Sequence, residues 1–143
     1  MRSGKVITSI PSIEGYEEIV VESIATMARI FGLSGKKINN LRVAVNEACI
    51  NAIEHGNQYD PEKMVDITYL FADGEMVVSV KDSGSGEIHP DFQQPDVAEQ
   101  VKKFKQKRMG GWGLFLMKSL VDEVDIVGSE GQGATATLKI SAE

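Results

Sequence analysis

The sequence predicts an α+β fold: a two-layer α/β sandwich whose mixed, mostly antiparallel sheet carries its helices on one face. Three observations lead there. Apolar residues recur at helical spacing in two adjacent segments near the start of the chain. Two β-rich runs flank an Asp73-Gly74 hairpin signal in mid-chain. A further helical segment and two more β-rich runs close the chain, giving the order β-α-α-β-β-loop-α-β-β. Helices bunched between strands, rather than alternating with them, argue against a doubly wound parallel sheet.

Taken in order, Lys5 to Ile10 is a short β-rich run that Pro11 ends. A helix follows from about Ile13 to Phe31, with Tyr16, Ile19, Val20, Ile24, Met27, Ala28 and Phe31 on its apolar face. Gly32 supplies its stop, and Ser34 an N-cap for a second helix that runs to His55 and ends at Gly56. Strands are expected over Met64–Phe71 and Met76–Lys81. An irregular stretch then extends from Asp82 to about Gly111 and includes the basic run KKFKQKR. A structureless loop of that length is unusual inside a compact domain and reads as a functional lid, a disordered tail of a site, or an unrecognised helix. Asp96 to Lys107 has the pattern of a short basic helix within it, with Val97, Val101 and Phe104 to one side. A third helix is expected from near Gly113, then strands Val124–Val127 and Ala134–Ile140.

The 143 residues suit one domain, 1–143, large enough for a core without disulfide or metal staples. A net charge of -6 argues against nucleic acid as the main partner, because phosphate-backbone binding needs a basic field. The first residues hold no apolar signal core, and no apolar run reaches the roughly 20 residues that span a bilayer. A soluble cytoplasmic protein with no membrane partner is expected. The single Cys49 forms no internal disulfide and reads as a packed residue rather than a nucleophile.

Three separated segments combine acids, amides and glycines. In VNEACINAIEHG, Glu47 and Asn51 lie one turn apart on one helical stripe. A carboxylate and an amide so placed can hold a hard cation, or the carboxylate can serve as general base; an exposed polar stripe is the plain alternative. In Asp82-Ser83-Gly84-Ser85-Gly86, an acid at a strand end can accept from an exocyclic amine, and the glycines let backbone approach a ligand. A flexible turn is the alternative there. In Gly110-Gly111-Trp112-Gly113, glycines opening a helix expose unpaired N–H groups to an anion such as phosphate; a hinge before a core helix is the alternative.

Together and in this order the segments resemble the N, G1 and G2 boxes of the superfamily that holds gyrase, the heat-shock chaperone ATPase, histidine kinases and mismatch-repair ATPases. NEACINAIEHG and GGWGLFLMKSLVDEV resemble the bacterial anti-sigma-factor serine kinases within it. The resemblance covers about Ile13 to Ile140. It implies the histidine-kinase-type ATPase fold, with ATP and Mg²⁺ as cofactors. It places the catalytic base on Glu47 and the Mg²⁺ and triphosphate contact on Asn51. It places the adenine-amine contact on Asp82, with Gly84 and Gly86 giving clearance, and phosphate-binding amides on Gly111 and Gly113. The ATP lid falls at about 84–110, where Arg108 or a neighbouring Lys would neutralise phosphate. The family's closing Gly-Thr pair reads Gly133-Ala134-Thr135 here, so its hydroxyl contact is either lost or passes to Thr135 or Thr137.

The resemblance further implies a serine/threonine protein kinase acting as an anti-sigma factor. It would phosphorylate a STAS-domain anti-anti-sigma partner, sequester a sigma factor by partner switching, and form a homodimer. Two other readings stay open. One is a nucleotide-regulated binding module of the same fold without phosphotransfer. The other is a histidine-kinase-like ATPase domain, against which stands the lack of a dimerising helical hairpin with an accepting His.

Overall fold

Alternation of buried and exposed residues builds a five-stranded sheet, and one stretch of helical periodicity after another covers a single face of it. The computed structural model describes residues 3–86 and 110–143. The elements are β1 (Gly4–Pro11), α1 (Glu17–Phe31), α2 (Gly35–Asn51), a π-helical turn (Ala52–Gly56), β2 (Met64–Ala72), β3 (Glu75–Lys81), α3 (Gly110–Leu120), β4 (Glu123–Ser129) and β5 (Gly133–Ser141). The basic helix expected over Asp96–Lys107 and most of the 84–110 lid lie outside the described residues.

The strand order is β1-β2-β3-β5-β4. The sequence left room for a mixed sheet, but every described pairing is antiparallel. The β2–β3 hairpin turns on Asp73 and Gly74, with φ of 54° and 75°. Left-handed conformations at both positions are what a two-residue hairpin with the right twist needs. The order also inserts β5 between β3 and β4, so that Lys81 at the end of β3 pairs with Thr135 near the start of β5.

Val65, Ile67 and Tyr69 on β2, Met76, Val78 and Val80 on β3, and Leu138 and Ile140 on β5 are buried against the helices. Val20, Ile24 and Ala28 of α1, Leu41, Val45 and Ala48 of α2, and Leu114 and Met117 of α3 complete one continuous core. Each buried large aliphatic contributes roughly 1.5–3 kcal/mol, so the face of the sheet that the helices cover is fixed by these residues. α2 packs against both α1 and α3. Cys49 lies inside this layer, and its thiol is pushed up to about 12 by burial first and by the Glu17 charge second. At neutral pH it stays protonated, which agrees with a packed rather than nucleophilic cysteine.

Helix boundaries differ from the sequence expectation at the start of α1, at the end of α2 and at the start of α3, which begins at Gly110 rather than near Gly113. α1 starts at Glu17 instead of Ile13, because Gly15 (φ 102°) makes a turn whose N–H donates to the Glu17 carboxylate at 2.7 Å. The helix expected to reach His55 stops being α-helical after Asn51 and widens into the π turn. The joint between α1 and α2 follows the sequence. Gly32 is left-handed at φ 98°, and the Ser34 hydroxyl accepts from the Lys37 N–H at 3.3 Å.

Gly32→Ala would force a Cβ into that left-handed position. We expect a loss of about 1 kcal/mol, seen as a melting temperature lower by about 3–5 °C in thermal unfolding.

Candidate functional site

Helical phase decides where Glu47 and Asn51 point. Arg42 forms an ion pair with Glu22 of α1 at 2.6 Å. Asn51 lies nine residues further on, about two and a half turns, so it faces the opposite flank of α2. That flank is the α3 side. Glu47 sits one turn before Asn51 on the same stripe, beside the buried Ala44 and Ala48. Glu47 is half-buried, and this burial holds its carboxyl above the ordinary carboxylate range. Such a shift makes it a better proton acceptor, since a carboxylate of higher pKa binds a proton more tightly.

The π turn then carries the backbone from α2 to Asp82. The Asn57 N–H donates to the Ala52 carbonyl at 2.8 Å, a ring one residue wider than that of an α-helix. Gly56, at the end of the turn, lies against Asp82: a Cβ there would come within 2.3 Å of the carboxyl group. Gly84 is pressed on the same place, where a Cβ would fall 2.0 Å from the Gly56 carbonyl oxygen. The Asp82 N–H donates to the Ala134 carbonyl at 3.0 Å. Its Oδ1 accepts from the N–H groups of Gly84 at 2.9 Å and Ala134 at 3.1 Å. Among the described residues Oδ2 takes no hydrogen bond, although Asp82 is only 7% exposed. A carboxylate with one oxygen locked and the other open is suited to an incoming N–H donor.

The resemblance gives Gly84 and Gly86 the role of clearing space for a ligand, and the structure adds a packing reason for both. What excludes a side chain at Gly84 is the Gly56 carbonyl, and at Gly86 (φ 89°) it is the Ser129 carbonyl, 1.9 Å from where a Cβ would sit. Gly133 belongs to the same cradle, since its Cβ would lie 2.1 Å from the Asp82 carbonyl oxygen. Gly56, Gly84 and Gly133 let three backbone segments meet around Asp82, and Gly86 lets the same loop pass close to Ser129.

Gly111 and Gly113 both lie in the first turn of α3, which starts at Gly110 and so earlier than expected. The Gly111 N–H belongs to those at the start of an α-helix that have no internal partner, whereas in a helix that begins at Gly110 the N–H of Gly113 is the first one used internally. Arg108 lies outside the described residues. Thr135 goes elsewhere. Leu138 and Ile140 point into the core, so strand alternation turns Thr135 and Thr137 to the outer face, where the Thr137 and Ser79 hydroxyls stand 3.5 Å apart. The expected Thr135 hydroxyl contact therefore has no support from the register. The inner position next to Asp82 is held by Ala134, through its backbone.

Sequence reasoning gave Gly56 and Asn57 no place in the site, and it singled out Gly133 only as part of the closing Gly-Thr pair. The visible signal was a Gly-Asn pair at the close of the second helix, which reads as no more than a helix stop.

Residues 12–140 match the family described as Histidine kinase-like ATPase domain. The chain is 27% identical over 138 residues to the serine-protein kinase RsbW of Listeria monocytogenes serotype 4a (strain HCC23), covering 96% of this chain and 88% of that one. It is 28% identical over 136 residues to the serine-protein kinase RsbW of Bacillus subtilis (strain 168), covering 94% and 84%. Among solved structures, the RsbU and RsbW domains of Rv1364c from Mycobacterium tuberculosis superpose with a TM-score of 0.69 at 22% identity. That match covers 96% of this chain and 32% of the solved chain, and it speaks to the fold alone. With the matched span and the antiparallel sheet with helices on one face in agreement, the chain belongs to the histidine kinase-like ATPase domain family.

Proposed function

We propose that this chain is an ATP-dependent serine/threonine protein kinase acting as an anti-sigma factor. The observation that carries the nucleotide site is the backbone contact joining the Asp82 cradle to the end of the helix bearing Glu47 and Asn51. It joins a rigid, half-satisfied carboxylate to a helix whose polar stripe looks toward α3. Kinase activity is supported by the similarity to the serine-protein kinases RsbW.

In this reading Asp82 Oδ2 accepts from the exocyclic amine of adenine, and Gly84 and Gly86 shape the cradle that holds it. The first turn of α3, which carries Gly111 and Gly113, holds phosphate oxygens at the positive end of the helix. Arg108 would add charge from the lid over 84–110. No group of three or more His, Cys, Asp or Glu able to hold a metal occurs among the described residues. The Asn51 carboxamide is an oxygen donor of the kind Mg²⁺ takes, with phosphate and water completing its shell. Bound Mg²⁺ would neutralise phosphate charge during transfer. Glu47 then accepts the proton from a serine or threonine hydroxyl as that oxygen bonds to the γ-phosphorus. The bond to the β-phosphate oxygen breaks, and ADP leaves.

The acceptor we assign is a STAS-domain anti-anti-sigma protein. The sigma factor would be held by this chain while that partner is phosphorylated, in a homodimer working in the cytoplasm. No helix among the described residues is long and apolar enough to cross a membrane.

Incubation with Mg-ATP and a STAS protein, read by intact-mass spectrometry, should show one added phosphate on the acceptor. No mass gain on any STAS protein would remove the kinase reading. Glu47→Gln should slow transfer by about 10²–10⁴-fold with ATP affinity nearly unchanged; parental turnover would take Glu47 out of the base role. Asp82→Asn should weaken ATP by about 10–100-fold in calorimetry. It should leave the ligand-free melting temperature close to parental, because the amide oxygen can still accept from Gly84 and Ala134.

A pH dependence follows from the raised Glu47 carboxyl. Burial penalises its charged form, so the stability it supports is present below the ordinary carboxylate range and is lost as pH rises through its raised value. Ligand-free Glu47→Gln should therefore melt above the parent near neutral pH, and the two curves should converge in acid.

A further inference from the structure

We propose that Asn57 is a positioning residue that sets base selectivity without touching the nucleotide. The proposal rests on the adenine-nucleotide reading of the Asp82 cradle. Asn57 is 1% exposed, directly after the π turn. Its Oδ1 accepts from the Ser83 N–H at 2.8 Å, one residue past Asp82. Its Nδ2 donates to the Ser12 hydroxyl at 2.8 Å and to the Met64 carbonyl at 3.1 Å. Ser12 is fully buried between β1 and α1, and its hydroxyl donates to the Lys63 carbonyl at 2.5 Å. One carboxamide thus ties the exit of β3 to the entry of β2 and to the β1–α1 junction.

The other hydrogen bonds on Asp82 come from its own loop and from β5. They orient the carboxylate relative to the sheet. Asn57 ties the same loop to the end of α2, where the residues assigned to phosphate and metal lie. The direction of Oδ2 relative to that helix is therefore held through Ser83. A carboxylate discriminates an amino from an oxo group at the base only if its oxygen is held in line with that group, because hydrogen bonds weaken steeply off axis. A loosened loop would let Oδ2 swing or admit water, and the selectivity would fall while binding through the phosphates persisted.

The test compares ATP with inosine triphosphate, which carries oxygen where adenine carries its amine. Calorimetric affinities for both are measured on the parent chain, Asn57→Ala, Ser12→Ala and Gly32→Ala. The parent should prefer ATP by about tenfold or more. Asn57→Ala should lose about fivefold of that preference, and Ser12→Ala part of it. Gly32→Ala, destabilised at a distance from the cradle, should keep the parental ratio. A parental ratio in Asn57→Ala, whatever its melting temperature, overturns the assignment. If that variant does not fold, Ser12→Ala decides, and an unchanged ratio there overturns it equally. A Gly32→Ala ratio that falls as far as the others overturns it too, since general destabilisation would then explain the loss. A parent that binds neither nucleotide sinks the nucleotide reading and this inference with it. A parent that discriminates beside variants that still do sinks this inference alone.

Discussion

Two backbone N–H groups hold one oxygen of Asp82, and much of the site's geometry depends on that bracket. The donors are Gly84, two residues on in the same loop, and Ala134, on a strand reached after most of the chain has passed. The Gly84 bond is local to the loop, but the Ala134 bond cannot form unless β5 lies beside β3, and β5 lies there because the sheet order places it between β3 and β4. Charge-assisted bonds of this type are worth more than neutral ones, and they are less screened in a site that water barely reaches. The bracket links sheet topology to chemistry: it fixes the carboxylate, whose second oxygen takes no hydrogen bond among the described residues and lies against Gly56.

Close backbone approach is the second constraint. Gly56, Gly84 and Gly133 surround Asp82 at distances that no Cβ could share. The π turn makes the first of these contacts. By widening the ring between Asn57 and Ala52 it places Gly56 on the Asp82 carboxyl, where an α-helix ending at the same residue would follow another path. The helix that carries Glu47 and Asn51 is thus attached to the cradle by backbone, which is stiffer than side-chain contact.

The same helix also serves the core. Ala44 and Ala48 are small and buried, and they border the polar stripe on the α3 side. Glu47 stands at that border. Its partial burial raises its proton affinity and costs stability whenever it is charged. Positions of this kind are tolerated where the charge has work to do, because packing alone would favour an apolar residue. Cys49 is the counter-example within the same helix: a titratable group sunk so deep that it stays neutral and packs as an apolar side chain.

Most of the fold was legible in the sequence, because its signals are local. The Ser34 cap, the Gly32 stop and the Asp73-Gly74 turn act between residues a few positions apart and are realised where expected, and the helical period holds at Val20, Ile24 and Ala28, although Tyr16 and Ile19, also expected on that apolar face, are exposed. Glu47, Asn51 and Asp82 could also be picked out, since an acid or amide beside so much apolar sequence needs a reason. What the tertiary structure decided was which groups meet. Strand register turned Thr135 to the outer face, and the π turn brought Gly56 and Asn57 to Asp82. Contacts with the Ser129 and Gly56 carbonyls gave Gly86 and Gly84 a packing reason that their sequence did not reveal. These depend on residues tens of positions apart coming within a few ångströms. The periodicity of any one segment carries no information about that, because its partners lie in other segments.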